Sequence, residues 1–260
     1  MSDMVENAAT VAKDNIAGYP GEASREMIDA GVFYGRKKAK TNPKMRQFVF
    51  ANRGGIEIID LQKTADAVET AAGFIKESVR NGKGLGLFVG TEAAAESSIL
   101  ALAKKFDLPY VTTRWVGGTI TNFSVIVKRV EHMKKNRADL ASGALDHYTK
   151  KERLEIDHEV HRLEELMGGL ESLPREPDFL VVVNPIVHET AVREARRKRI
   201  PVIAFANVDA DPDVIDYLVP GNDKAKGSIA WFLGKIEKAI EEGKAARAAA
   251  PLNQEAKPVA

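Results

Sequence analysis

The sequence predicts a parallel α/β fold carrying a helical insertion. Three observations support this. Short apolar strands alternate with amphipathic helices in both the first and last thirds of the chain, the pattern of a parallel sheet of about five strands covered on both faces. Between those thirds lie two charged helical segments with the same four-three apolar spacing, as in an antiparallel helical (coiled-coil) hairpin. The apolar fraction, 44% of 260 residues, supplies a core of that size.

In order along the chain, residues 1–23 contain Gly18, Pro20 and Gly21 without an apolar period, and a flexible N-terminal arm is expected there. Ser24 has the form of an N-cap for a short helix stopped by Gly31. Residues 31–46 are broken by Gly and Pro and read as an irregular loop. Phe48-Val49-Phe50 and Ile56-Glu57-Ile58-Ile59 flank Asn52-Arg53-Gly54-Gly55, which predicts an N-terminal β-hairpin. Asp60 then precedes a helix with the apolar face Leu61, Ala65, Val68, Ala72, Ile75 and Val79. Leu85-Gly86-Leu87-Phe88-Val89-Gly90 reads as a buried strand, with Thr91 as the cap of the next helix. Leu108-Pro109-Tyr110-Val111-Thr112 is the second strand.

Ile126, Val130, Met133, Arg137 and Leu140 form the first seam of the insertion, and Ile156, Val160, Leu163, Met167 and Leu170 the second. Thr149-Lys150-Lys151-Glu152 between them is a capping box. A seam this narrow suits an arm that stands out from the sheet or lies against a partner. Strands at Asp178–Val183, Ile200–Phe205 and Tyr217–Pro220 complete the sheet. A helix after Asn184-Pro185 links the first two, and Asn222-Asp223 caps a last helix through Trp231. The expected organisation is an arm at 1–23, an α/β domain at 24–123 and 174–243, an inserted hairpin at 124–173 and a disordered tail at 244–260.

Charge and composition exclude several functions. Charged residues make up 29% of the chain and nearly cancel to +1, which argues against a tail-driven polyanion binder but not against local basic patches. The absence of Cys removes disulfides, thiol catalysis and cysteine zinc sites, and suits a reducing cytosol. No stretch approaches the ~20 apolar residues of a membrane span, and no export signal is read at the N-terminus.

Two segments are candidate binding sites. Arg36, Lys37, Lys38, Lys40, Lys44 and Arg46 follow one another with no acid between them, beside Phe33 and Tyr34, and Arg53 sits in the nearby hairpin turn. An irregular basic loop of this kind suits an RNA backbone; a solvated surface loop accounts for it equally. The second segment is Arg114-Trp115-Val116-Gly117-Gly118-Thr119-Ile120-Thr121-Asn122-Phe123. Arg114, Trp115, Gly117, Gly118 and Asn122 combine a cation, a large ring and open backbone, a set that can hold phosphate and ribose. A strand-to-helix turn with a packed Trp explains the same residues.

Catalytic signals are weak. Gly82, Gly84 and Gly86 precede and enter their strand, whereas a phosphate loop must follow the strand and open the helix; the loop in that position, Gly90-Thr91-Glu92, is short and acidic. His132, His147, His158, His161 and His188 are scattered, and the His158/His161 pair lacks a third metal ligand. No cofactor, metal or catalytic residue is expected.

These residues together resemble the bacterial type of the small-subunit ribosomal protein two family, from about Ile28 to Gly243. The resemblance rests on Asn42-Pro43-Lys44-Met45, Ile58-Ile59-Asp60-Leu61-Gln62-Lys63-Thr64, Phe88-Val89-Gly90-Thr91 and the Trp-Gly-Gly run. It continues through Pro177-Asp178, Glu194-Ala195, Ile200-Pro201, Asp211-Pro212 and Pro220-Gly221-Asn222-Asp223, in that order. The Trp-Gly-Gly run is the specific motif. The resemblance implies a flavodoxin-like domain with a projecting hairpin, and a structural role in the small ribosomal subunit at the head–body junction. The implied partners are small-subunit rRNA and neighbouring ribosomal proteins, including ribosomal protein one, with no membrane and no homo-oligomer. The chain departs from the family where two His usually flank an aromatic-glycine pair; here the segment is Phe33-Tyr34-Gly35-Arg36. It also has Glu92-Ala93-Ala94 where the family loop is usually basic. A flavodoxin-like nucleotide-binding enzyme and a protein-only scaffold are the competing functions. The first lacks a phosphate loop, and the basic loop at 36–46 speaks against the second.

Overall fold

The computed structural model describes residues 22–145 and 147–249. Most of the expected arm and the end of the expected tail lie outside these residues. The main sheet has five parallel strands: β4 (Gly86–Val89), β5 (Tyr110–Val111), β6 (Phe179–Val183), β7 (Val202–Ala206) and β8 (Tyr217–Pro220). Their order is β5-β4-β6-β7-β8, so the chain adds one strand to one side of β4 and the rest to the other. This is the doubly wound order of flavodoxin-like sheets.

Side chains alternate across the sheet with the period of two that a strand imposes, making two cores. Phe88, Phe179, Val181, Val183, Ile203 and Phe205 face one core. Helices α2 (Leu61–Arg80), α3 (Ala93–Phe106) and α7 (Lys226–Ala249) cover it. Leu87, Val89, Leu180, Val182, Val202 and Ala204 face the other core. It is closed by α6 (Glu189–Arg197) and the near ends of α4 (Phe123–Ser142) and α5 (Lys150–Met167). Strand β6 is buried along its whole length, as a central parallel strand must be. No helix among the described residues is long and apolar enough to cross a membrane.

Several local expectations change. Helix α1 (Glu22–Asp29) begins two residues before the Ser24 cap predicted for it. Tyr34–Lys37, read as loop, is strand β1, which pairs antiparallel with β3 (Ile56–Ile59). Strand β2 (Val49–Arg53) pairs with the other edge of β3, making a three-stranded sheet rather than a lone hairpin. Phe33 is buried in the first core and its carbonyl accepts from the Ile59 amide at 2.9 Å, which ties the segment to β3.

Asp60, placed just before this helix by the sequence, caps α2 by accepting from the Gln62 amide. Thr91 does not cap α3; its position falls to Glu92, which makes no capping bond, because Thr91 turns toward His188. Asp223 likewise faces Arg36 instead of capping the last helix. That helix runs to Ala249, beyond the stop expected at Gly243. Helices α4 and α5 pack together, with Ile126, Val130, Met133, Val160 and Met167 buried. Thr149 and Glu152 form the predicted capping box. Seam position Arg137 is exposed and binds Glu164 and Glu171 instead of filling the seam.

Candidate nucleic-acid interface

The Trp-Gly-Gly segment leaves β5 and turns into α4. Gly118 sits at φ +89, in the left-handed region that favours glycine. This conformation turns the amides of Gly118, Ile120 and Thr121 toward one point. The point is filled by Glu194 of α6, which is 6% exposed. One carboxylate oxygen accepts from Gly118 N at 2.8 Å and Trp115 Nε1 at 3.1 Å. The other accepts from Ile120 N at 3.1 Å, Thr121 N at 3.1 Å and Thr121 Oγ1 at 3.0 Å. Burial works to raise the Glu194 carboxyl pKa, but the donors of Gly118, Thr121, Trp115 and Ile120 outweigh it and hold the group below its ordinary value.

The turn is therefore an anion-binding nest that holds an anion supplied by the protein itself. Trp115 packs half-buried on the second core, and the Gly118 N–H is committed. Arg114 and Gly117 are exposed on the outer side of the turn. A Cβ on Gly117 would meet nothing within 4 Å, so the backbone there is open to a close partner. Asn122 is exposed, with its amide bonded to the Gly118 carbonyl at 2.8 Å.

The basic loop divides into two sets. Arg36 lies 3.2 Å from Asp209 and 2.8 Å from Asp223, which is 1% exposed. It is an internal counter-ion. Lys44 binds Asp213 and lies 3.3 Å from Asp211, and these bonds, Asp213 first, raise its pKa. Lys37, Lys38, Lys40 and Arg46 are exposed, and none has an ion pair among the described residues. Arg53 is exposed at the end of β2 and has an interaction of its own. Phe33 and Tyr34, which lie beside the loop in sequence, belong to the core side; the exposed aromatic of this small sheet is Phe50 at 57%.

At the carboxyl ends of the strands, where such sheets usually bind ligands, the protein's own groups meet. The Thr91 amide donates to His188 Nε2 at 3.2 Å, so Nδ1 carries the proton and donates to the Asn184 carbonyl at 2.9 Å. Burial lowers the His188 pKa. Asn184 Nδ2 donates to Glu92 at 3.2 Å, and Lys224 pairs with the same carboxylate. Burial raises Asp223 to about 6, against the pull of Arg36 and with help from nearby Asp209 and Glu92.

Glu194, Asp209 and Asp223 were not legible as partners of Trp115 and Arg36. Glu194 alone left a signal: it stands among Ala191, Val192 and Ala195 on the buried face of α6, where an acid needs donors.

The family model for ribosomal protein S2 matches residues 27–243. The chain is 42% identical over 224 residues to the small ribosomal subunit protein uS2 of Corynebacterium glutamicum (strain R), covering 86% of this chain and 84% of that one. It is 42% identical over 211 residues to uS2 of Thermus thermophilus, covering 81% and 82%. For uS2 of Rhodococcus jostii the figures are 40% over 236 residues, 91% and 78%.

Proposed function

This chain belongs to the ribosomal protein S2 family, and from that premise we propose how it is held in the small ribosomal subunit. It is a structural, non-enzymatic ribosomal protein that serves translation on the cytoplasmic ribosome. Its rRNA contact runs through Lys37, Lys38, Lys40 and Arg46, with Arg114 and the open Gly117 backbone as a second point. The observation that carries this reading is the division of the basic loop. Arg36 and Lys44 are neutralised by the protein's own carboxylates, whereas the four remaining cations are exposed and unpaired among the described residues. Unpaired cations on an irregular edge bind phosphate without a prior exchange of partners.

In this reading the domain sits at the head–body junction, the α4–α5 pair projects as a coiled-coil hairpin, and ribosomal protein one is recruited nearby. No homo-oligomer is involved. Sedimentation of a lysate, first at magnesium that keeps ribosomes intact and then at high salt, tests the assignment. The protein should travel with small subunits; recovery only in the free pool refutes it. Reversing Lys37, Lys38 and Lys40 to Glu should reduce incorporation while the circular dichroism spectrum stays that of the native protein. Unchanged incorporation removes the loop from the contact surface.

A further inference from the structure

The two long sides of the α4–α5 pair differ in how their charges are used. On one side the cations are neutralised by nearby carboxylates: Arg137 lies 3.2 Å from Glu164 and 3.0 Å from Glu171, and Lys134 lies 3.9 Å from Glu171. On the other side a groove of about 510 Å³ runs between the helices down to Val116 of the Trp-Gly-Gly turn. Lys128, Arg129 and Arg162 line it, all exposed and without an ion pair among the described residues. His132 and one acid, Glu159, line it as well. Its floor is apolar, built from Val116, Val125 and Leu163, and Val125 is 41% exposed.

We infer that this groove is a second RNA-binding surface, which takes an unstacked nucleotide with its base on the Val116/Val125/Leu163 floor and its phosphates against Lys128, Arg129 and Arg162. The inference rests on the rRNA reading above and extends it to helices that the basic loop does not reach. Three unpaired cations at an apolar groove match a ligand with one flat apolar face and an anionic edge, which is the chemistry of a single-stranded nucleotide. The volume is within the roughly 300–1,000 Å³ of sites that enclose small ligands. An acidic protein helix would also answer the charges, and is an outcome of the test.

The test uses the full-length protein and a small-subunit rRNA transcript, with affinity measured across a salt series and contacts mapped by ultraviolet cross-linking and mass spectrometry. Cross-linked nucleotides are expected on the peptides spanning 125–132 and 159–167. K128Q/R129Q/R162Q should weaken binding at least tenfold and flatten the salt dependence by up to about two in slope, at about 0.7 per single-stranded phosphate. Val125→Asp, with every cation intact, should abolish the groove cross-link. Native circular dichroism in both variants keeps misfolding out of the comparison. Wild-type binding that neither variant changes, with cross-links confined to the loop at 37–46, overturns the groove and leaves the rRNA reading standing. Cross-links in assembled subunits that join the groove to a protein instead of RNA overturn it in favour of an acidic partner. A wild-type chain that binds no rRNA overturns both.

Discussion

Glu194→Gln should cost about 3–5 kcal/mol of stability, because the side chain accepts from donors only. Both carboxylate oxygens face N–H or O–H groups: Trp115 Nε1 and Gly118 N on one, Ile120 N, Thr121 N and Thr121 Oγ1 on the other. A glutamine amide must turn its NH2 toward one of these sets. The less harmful choice abandons Trp115 and Gly118 and keeps the three bonds around Thr121. Two half-buried donors then lose their acceptor, at about 1–3 kcal/mol each, and the remaining bonds lose the strength lent by a charged acceptor. Urea unfolding at pH 7 measures the loss as a drop in midpoint at unchanged slope. In a Trp231→Phe background the emission belongs to Trp115 alone and should shift as its indole N–H is released. The effect has a defined pH direction. Glu194 titrates below its ordinary value in the folded protein, so its contribution is present above the unfolded pKa and is lost as pH falls through the folded one. The gap between wild type and Glu194→Gln should therefore narrow in acid. A variant within about 0.5 kcal/mol of wild type at pH 7, a size usual for ordinary surface changes, refutes the account of Glu194 as the anchor of the turn.

Other predictions concern the same loop and the buried acid at the sheet's edge. Gly118→Ala should lose about 1–2 kcal/mol in the same assay, since it forces a side chain into φ +89 with its Cβ 3.2 Å from that of Asn122. Gly117→Ala meets open space and should stay within about 0.5 kcal/mol of wild type, while weakening rRNA binding if its backbone contacts RNA. Asp223 is raised to about 6, so its protonated form favours the folded state: that stability is full below the unfolded pKa and lost as pH rises through about 6. The span from the ordinary carboxylate value corresponds to about 3 kcal/mol. Asp223→Asn should flatten the stability profile between pH 4 and pH 6, measured by thermal melts across pH; an unchanged profile assigns the dependence to another group.

Periodicity along the chain showed which segments become helix and strand, because alternation and the four-three repeat are local consequences of burying one face. The five main strands and the apolar face of α2 follow from it, and the Thr149–Glu152 capping box follows from its Thr-x-x-Glu pattern. Strand β1 did not: Tyr34-Gly35-Arg36-Lys37 has no alternation of its own and becomes a strand because β3 offers an edge and Phe33 is buried beside it.

The largest difference lies in charge. Residue order alone shows that Arg36 through Arg46 is basic and that Arg114 through Asn122 sets a cation, a large ring and open backbone side by side. Which of those groups are free depends on the folded arrangement. Glu194 is separated from Gly118 by 76 positions and Asp223 from Arg36 by 187, yet the fold brings each pair to 2.8 Å. Electrostatic pairing depends on distance in space, which a linear pattern does not encode. The Gly118 amide and the Arg36 guanidinium are thus spent on folding, leaving Lys37, Lys38, Lys40, Arg46 and Arg114 at the surface.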